Sequence, residues 1–136
     1  MRSAGGRAML ACAFAASACA APAIEAQPAA PALEGTRWVM AGAASDAAAM
    51  PRLEFTGEGR VSGFTGCNLL SGSYRLEEDR LEIVAATTKR ACLGAGGESE
   101  EKLLAVLGDR PRVRREARRL VLSGTKGGTF VLEPAP

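Results

Sequence analysis

Histidine is absent from the 136-residue sequence, and its absence excludes several kinds of catalytic site. Imidazole is the base in Ser-His-Asp and Cys-His arrangements, so this chain holds neither type of activated nucleophile. Histidine is also the commonest transition-metal ligand, and Cys67 and Cys92, 25 residues apart, have no partner ligands at zinc-site spacing. We therefore expect no metal, no cofactor and no enzymatic activity.

A long apolar segment is also lacking. The apolar run at residues 8–18 is too short to span a bilayer, which needs about 20 residues, so we expect no transmembrane span. The run follows a basic start at Arg2 and Arg7 and precedes small residues and prolines, an order typical of a secretory signal peptide. We assign the signal peptide to residues 1–26 and an alanine- and proline-rich tether to residues 27–33.

Two modes of cleavage remain open for this leader. Ordinary cleavage falls after Ala23 or Ala26 and releases a soluble protein into the periplasm or the medium. In the alternative, residues 16–19 act as a lipobox and Cys19 carries a lipid that anchors the protein to the outer membrane. The usual large aliphatic residue is missing at Ala16, so we favour the soluble product.

Cysteine is scarce once the leader is removed. Cys12 leaves with the signal peptide, so two cysteines remain, or three if Cys19 carries a lipid. Paired cysteines of exported domains usually form disulfides, and a Cys67–Cys92 bridge is worth about 3–4 kcal/mol in the chain-entropy model. Because no CxxC motif is present, we favour a structural disulfide and keep a thiol redox role as the alternative.

Charge of one sign is not in excess. Residues 33–136 hold 15 basic and 14 acidic residues, a net charge of +1, which gives no steering toward nucleic acid or membranes. One arginine cluster stands out, but Asp109 and Glu116 dilute it and no aromatic residues interleave for base stacking. We predict a solvated hairpin, with contact to polyanions or an acidic protein as the alternative. The cluster comprises Arg110, Arg112, Arg114, Arg115, Arg118 and Arg119, of which Arg112, Arg114, Arg118 and Arg119 are the candidate contacts.

Alternation of apolar and polar residues predicts strands through most of residues 34–133. Glycines within the alternating segments indicate a strongly curved sheet. Antiparallel hairpins fit the order of the segments, because a parallel sheet needs repeated helical crossovers. The predicted strands lie at residues 36–41, 52–55, 61–64, 71–76, 80–84, 85–92, 112–115, 119–123 and 129–132.

One segment has helical spacing instead. Leu103 and Leu107 share a face of a helix over residues 98–107, with Ser99 as its predicted N-cap. The fold class is therefore mainly β (α+β): a small antiparallel, curled, barrel-like sheet covered by one α-helix. The predicted core consists of Trp38, Met40, Leu53, Phe55, Val61, Tyr74, Leu81, Ile83, Leu103, Leu107, Leu120, Leu122 and Phe130.

Three polar residues near the cysteines are candidates for ligand binding. We predict ordinary structural roles for them: Asn68 as a turn residue whose side chain bonds nearby backbone, and Thr87 and Thr88 as sheet-lining residues. Acidic residues in predicted turns are expected to be solvated, so no carboxylate site is predicted.

Several ordered motifs together resemble the META domain family, which includes the heat-inducible HslJ-type envelope proteins. The resemblance covers residues 34–133 and marks a set of family-motif positions. The matching segments are TRW at 36–38, VSGFTGCN at 61–68, GSY at 72–74, TTKRAC at 87–92, the acidic helix start at 98–101 and LVL at 120–122. The motif positions are Gly66, Cys67, Asn68, Thr87, Thr88 and Cys92.

The resemblance implies a small, mostly β, barrel-like domain with one helix, exported or lipid-anchored, with links to heat or antibiotic stress, motility or secretion. Family members commonly have an arginine after the Cys-Asn pair, whereas this chain has Leu69. We therefore expect a monomeric, non-catalytic, stress-related envelope protein that binds a partner protein or small ligand. The alternatives are a pilot- or inhibitor-like accessory protein for another exported protein, and a thiol redox protein that uses Cys67 and Cys92.

Overall fold

The computed structural model describes residues 20–23, 29–42 and 49–136. Most of the predicted signal peptide, including Cys12 and the proposed lipidation site Cys19, lies outside the described residues. Residues 29–33 of the predicted tether form neither helix nor strand. Leu33 is buried, so the packed part of the chain includes this residue.

Strands dominate the described residues and pair in the order of the sequence. The elements are β1 (Thr36–Met40), β2 (Arg52–Thr56), β3 (Arg60–Phe64), β4 (Leu69–Glu77), β5 (Arg80–Thr87), α1 (Ala95–Gly108), β6 (Arg112–Glu116), β7 (Arg119–Ser123) and β8 (Thr129–Pro134). Every pairing is antiparallel, and β1 also pairs with β8, so the eight described strands close into a barrel. The predicted fold class, a mainly β sheet with one helix, is confirmed.

Alternating burial explains why these segments form a barrel. In β2, Leu53 and Phe55 are buried while the residues on either side of each are exposed, so one face of the strand lines the core. Gly63 of β3 lies where the strands approach closely, because a Cβ there would stand 2.3 Å from the carbonyl oxygen of Arg52. Glycine at this position therefore permits the curvature that closes the sheet.

The core fills the interior of this barrel. Phe55 and Tyr74 meet edge to face with ring centroids 4.8 Å apart. Ten of the thirteen predicted core residues are buried, while Met40, Tyr74 and Ile83 are only partly buried and pack against the others. The prediction missed the buried apolar residues Leu33, Leu70, Val106, Val113, Val121 and Leu132.

The pairing between β5 and β6 is much shorter than the other strand pairings of the barrel. Within the described residues, the β5–β6 register consists of Arg80 opposite Arg112, whereas β5 pairs with β4 over its full length. Helix α1 starts beyond the end of β5 and packs against β5, β7 and β8. Its buried side chains are Leu103, Val106 and Leu107. Among the described residues, no helix has the length and apolar character needed to cross a membrane.

Two predicted elements were wrong in their limits. Residues 85–92 do not form a separate strand: β5 continues to Thr87, and the chain then leaves the sheet. The backbone of Arg90 is held by hydrogen bonds to a side chain rather than to a neighbouring strand, which explains the departure.

Helix α1 begins at Ala95, three residues before the predicted start at Glu98, and its N-cap is Gly94 rather than Ser99. Gly94 has a φ of 73°, in the region that favours glycine. The first turn of α1 packs closely against the β3–β4 connection, and a Cβ at Gly96 would lie 2.6 Å from the carbonyl oxygen of Gly66. This close approach explains why the helix begins with glycine-rich sequence.

Candidate functional site

The family-motif cysteines form a disulfide. Cys67 lies in the connection between β3 and β4, and Cys92 lies between β5 and α1, with their Cα atoms 5.9 Å apart. The bond closes a loop that contains β4 and β5, and Cys67 is buried. The predicted pairing is confirmed, and both thiols are oxidised in this structure.

Asn68, the next residue, is buried and uses every hydrogen-bonding group of its side chain. Its Oδ1 accepts from the backbone N–H of Arg90 at 2.7 Å and from the Thr88 hydroxyl at 2.9 Å. Its Nδ2 donates to the Arg90 carbonyl at 3.1 Å and to the Glu100 carboxylate at 3.0 Å. Because Arg90 presents both an N–H and a carbonyl, the orientation of the Asn68 amide is fixed by its partners.

A second buried polar residue, Thr65, completes this arrangement. Its hydroxyl accepts from the backbone N–H of Asn68 at 2.8 Å and also bonds to the Glu100 carboxylate. Glu100 therefore ties the first turns of α1 to the β3–β4 connection. We call the five residues that share these bonds the Asn68 network: Thr65, Asn68, Thr88, Arg90 and Glu100.

The buried polar groups of the Asn68 network are all bonded within the protein. Among the described residues, no buried side-chain nitrogen or oxygen lacks a hydrogen-bond partner, and no group of His, Cys, Asp or Glu could hold a metal ion. Asn68 lies in the bend between β3 and β4, as predicted for a turn residue. The predicted partner was wrong, because its side chain bonds backbone 22 residues away rather than nearby. Thr88 lies beyond the end of β5 and belongs to the network, while Thr87 ends the strand.

Thr65 and Glu100 were missed by sequence reasoning. Glu100 has a sequence signal, an acidic residue near a helix start, but that signal also fits a simple interaction with the helix dipole. Thr65 is two residues from Cys67 within the family-motif segment. Their contacts with Asn68 are visible only in three dimensions and distinguish these two residues from the other polar residues of the chain.

The arginine cluster is largely paired with acidic residues. Arg112 lies 3.6 Å from Asp79, and Arg119 lies 3.0 Å from Glu133. Arg114 pairs with Glu116, Arg110 with Glu77 and Glu82, and the Arg115 guanidinium lies over the Trp38 ring at 5.3 Å. In the part of the chain that the structure describes, Arg118 makes no ion pair, so most of the cluster's charge is balanced locally.

A surface depression lies on the outer face of the first four strands. Its volume is about 410 Å³. Arg37 and Glu54 border it and form an ion pair at 3.7 Å, and Ser62 and Ser71 lie opposite each other in its floor. Leu69, which is 58% exposed, forms part of its wall. Trp38, Leu53 and Leu70 also belong to the lining. The combination of charges, hydroxyls and apolar groups suits a polar ligand or a peptide side chain.

Asp109 fixes the turn between β7 and β8 to the end of α1. Its carboxylate accepts from the Thr125 hydroxyl at 2.6 Å and from the backbone N–H of Lys126 at 2.9 Å. These hydrogen bonds hold the pKa of the Asp109 carboxyl below its ordinary value of 3.8, since they stabilise its charged form.

Solved structures similar to this chain share its fold. An NMR structure of a protein from Burkholderia xenovorans is 26% identical over 82% of this chain and 96% of that chain, with a TM-score of 0.60. A second NMR structure is 22% identical over 74% of this chain and 90% of that chain, with a TM-score of 0.63. A crystal structure of a DUF4847 family protein from Bacteroides vulgatus is 12% identical over 62% of this chain and 57% of that chain, with a TM-score of 0.50.

A family match covers the whole barrel. No curated protein matches the chain. The META domain matches residues 31–136, which include all eight described strands, α1, the disulfide and the Asn68 network. Because this match spans well over half of the sequence, the chain belongs to the META domain family.

Proposed function

We propose that this META-domain protein is exported to the bacterial cell envelope and takes part in a stress response there by binding a partner protein or a small ligand, without catalysis. The main support for the proposal is that the family-motif residues Cys67, Asn68 and Cys92 bond to other residues of this chain. Every hydrogen-bonding group of the Asn68 side chain has a protein partner, and Cys67 and Cys92 are bonded to each other. The motif therefore stabilises the fold, which leaves the outer surface for function.

Export is supported by two independent features. The leader has the basic, apolar and small-residue order of a signal peptide, and a structural disulfide suits an oxidising compartment. Intact mass of the protein recovered from the envelope tests this part. We expect loss of the leader and of two hydrogen atoms for the bridge, and an intact leader on the recovered protein would contradict export.

The outer depression is the site we propose for a small ligand. It presents the Arg37 and Glu54 charges beside the hydroxyls of Ser62 and Ser71, and neither serine hydroxyl forms a hydrogen bond within the described residues. Such groups recognise a ligand that offers both donors and acceptors.

A pilot- or inhibitor-like role for another exported protein is the second candidate. Among the described residues, three large apolar side chains are exposed: Leu69 at 58%, Val84 at 69% and Leu93 at 99%. Exposed apolar side chains are suited to protein contacts when they share a surface. A thiol redox role has less support, because Cys67 is 3% exposed, although Cys92 is only partly buried, and burial restricts access of a second thiol to the bond.

Retention of envelope components on immobilised mature protein tests the proposal. Ser62→Trp fills the depression, and Thr56→Trp adds the same side chain to the exposed outer face of β2, outside the depression, as a matched control. We expect wild type and Thr56→Trp to retain the same component and Ser62→Trp to lose it if the ligand is small. A wild-type protein that retains nothing, or that turns over a substrate from the extract, would contradict the proposed function.

A further inference from the structure

Strand β5 has one fully paired edge and one largely unpaired edge. Its register with β4 runs along the whole strand, from Arg80 to Thr87. On the other side, among the residues that the structure describes, its register with β6 is limited to Arg80 opposite Arg112. The two strands separate beyond this pair, so residues 82–87 face none of the eight described strands on that side.

Hydrogen bonds at the two ends of β5 show which backbone groups face the unpaired edge. The N–H of Leu81 donates to the Pro111 carbonyl at 2.9 Å on the β6 side, and the N–H of Thr88 donates to the Leu69 carbonyl at 3.0 Å on the β4 side. Successive residues of an antiparallel strand alternate between its two edges. The odd-numbered residues therefore face the unpaired edge, and these are Ile83, Ala85 and Thr87.

Solvent reaches this edge. Of the three residues whose backbone faces it, Ala85 is exposed, while Ile83 and Thr87 are partly buried. The neighbouring Val84 and Ala86 side chains are also exposed, Val84 by 69%. Helix α1 packs beside β5 but leaves Ala85 exposed. An exposed strand edge with unpaired N–H and carbonyl groups is a template for another extended chain.

The charges at the ends of the edge favour one kind of occupant. Lys89 and Arg90 follow the carboxyl end of β5, are exposed, and make no ion pair with an acidic side chain of the described residues. At the opposite end, the Glu82 carboxylate is already bonded to Arg75 at 2.7 Å. An antiparallel occupant places its N-terminal residues beside the two cations, where acidic side chains complement them.

We infer that the unpaired edge of β5 receives an extended segment of a partner protein, which adds as an antiparallel strand and carries acidic residues at its N-terminal end. The inference rests on the proposed function, because it names the partner class for a protein that acts by binding. The backbone of Ile83, Ala85 and Thr87 supplies the hydrogen bonds, and Lys89 and Arg90 select the acidic end.

A synthetic peptide, acetyl-Asp-Asp-Val-Thr-Val-Thr-Val-amide, is the probe for this edge. Amide hydrogen exchange of the folded protein, followed by NMR, gives the readout for each residue. Without peptide, we expect fast exchange at Ile83, Ala85 and Thr87 and slow exchange at Val84 and Ala86, whose amides face β4. Bound peptide slows exchange at the three odd-numbered residues.

Two N-methylated forms of the peptide provide a matched control on the ligand side. One form is methylated at alternate amides, and the other at the remaining amides. Because only one set of amides faces β5 in an added strand, one form is expected to lose binding by at least about tenfold, while the other retains it. A peptide with Lys-Lys in place of Asp-Asp is expected to bind more weakly to wild type and more strongly to Lys89→Glu.

Proline substitutions test the same edge on the protein side. Ala85→Pro removes an N–H that has no backbone partner among the described residues, so we expect the fold to persist and the peptide to bind at least about tenfold more weakly. Ala86→Pro removes an N–H that pairs with β4 opposite Ser71 and is expected to reduce stability instead.

The inference is overturned if the unmodified peptide does not bind wild type, if both N-methylated forms bind equally, or if Ala85→Pro binds the peptide like wild type. Protection of Ile83 and Ala85 that grows with protein concentration in the absence of peptide would also overturn it, in favour of pairing between two copies. If wild type still retains an envelope component in any of these cases, the proposed function stands and only the β5 edge is rejected.

Discussion

The Asn68 side chain pairs with the backbone of Arg90 through two hydrogen bonds, one accepted at 2.7 Å and one donated at 3.1 Å. This pairing holds the chain after β5 against the connection between β3 and β4, next to the Cys67–Cys92 bond. A neutral amide suits the site because one of its ends meets a carbonyl and the Glu100 carboxylate, which both accept hydrogen bonds.

Asn68→Asp is expected to destabilise the protein with almost no change in shape. The new carboxylate oxygen meets the Arg90 carbonyl and the Glu100 carboxylate, so two donated hydrogen bonds are lost and like charges face each other. We expect a loss of about 2–4 kcal/mol in the free energy of unfolding, measured by urea denaturation at neutral pH. Ser73→Asp, on the exposed outer face of β4, is the control and is expected to cost less than about 0.5 kcal/mol.

A double-mutant cycle separates charge repulsion from the lost hydrogen bonds. In a Glu100→Gln background, Asn68→Asp is expected to lower the free energy of unfolding by less than it does in wild type, because one of the two facing charges is absent. Equal costs in both backgrounds would mean that Glu100 and Asn68 do not interact through charge in the variant.

Gly96→Ala and Gly108→Ala form a matched pair within α1. A Cβ at Gly96 would lie 2.6 Å from the Gly66 carbonyl oxygen, whereas nothing lies within 4 Å of a Cβ at Gly108. Alanine favours helix, so Gly108→Ala is expected to stabilise by about 0.5–1 kcal/mol, while Gly96→Ala destabilises by about 1–3 kcal/mol. Thermal unfolding of the two variants checks the difference, and a stabilising Gly96→Ala would contradict the close packing of α1 on the β3–β4 connection.

Acid is expected to remove the contribution of Asp109 to stability. The pKa of its carboxyl is lower in the folded protein than its ordinary value of 3.8, so its contribution is complete above that value and is lost as the pH falls through the folded pKa. The stability difference between wild type and Asp109→Asn, measured by urea denaturation, should therefore be constant near neutral pH and shrink as the pH is lowered below 3.8. Thr125→Val removes the largest cause of the low pKa, so the acid-dependent part of wild-type stability should decrease in this variant.

Local sequence patterns predicted most of the barrel because alternation has a direct physical cause. Leu53 and Phe55 of β2 and Val61 of β3 are buried, and the residues on either side of each are exposed. This alternation is expected for strands with one face toward a core. The boundary near residues 85–92 was not predictable in the same way. There the chain leaves the sheet because Asn68, distant in the sequence, bonds the backbone of Arg90.

The candidate site was predictable only in part. Cysteine pairing followed from two cysteines in an exported domain, and the resemblance marked Asn68 and Thr88. The contributions of Thr65 and Glu100 depend on contacts across 35 residues of sequence, and the unpaired edge of β5 depends on where two strands separate. Such features require the tertiary arrangement, because no local pattern distinguishes them.

The structural role of the Cys67–Cys92 bond is tested most directly by measuring the free energy of unfolding with and without reductant. The measurement compares wild type with the Cys67→Ala/Cys92→Ala variant. Under oxidising conditions we expect wild type to be more stable by about 3–4 kcal/mol, since the bond restricts the unfolded chain. Reductant should bring wild type to the stability of the variant and leave the variant unchanged. Equal unfolding of wild type and variant under oxidising conditions would contradict the account.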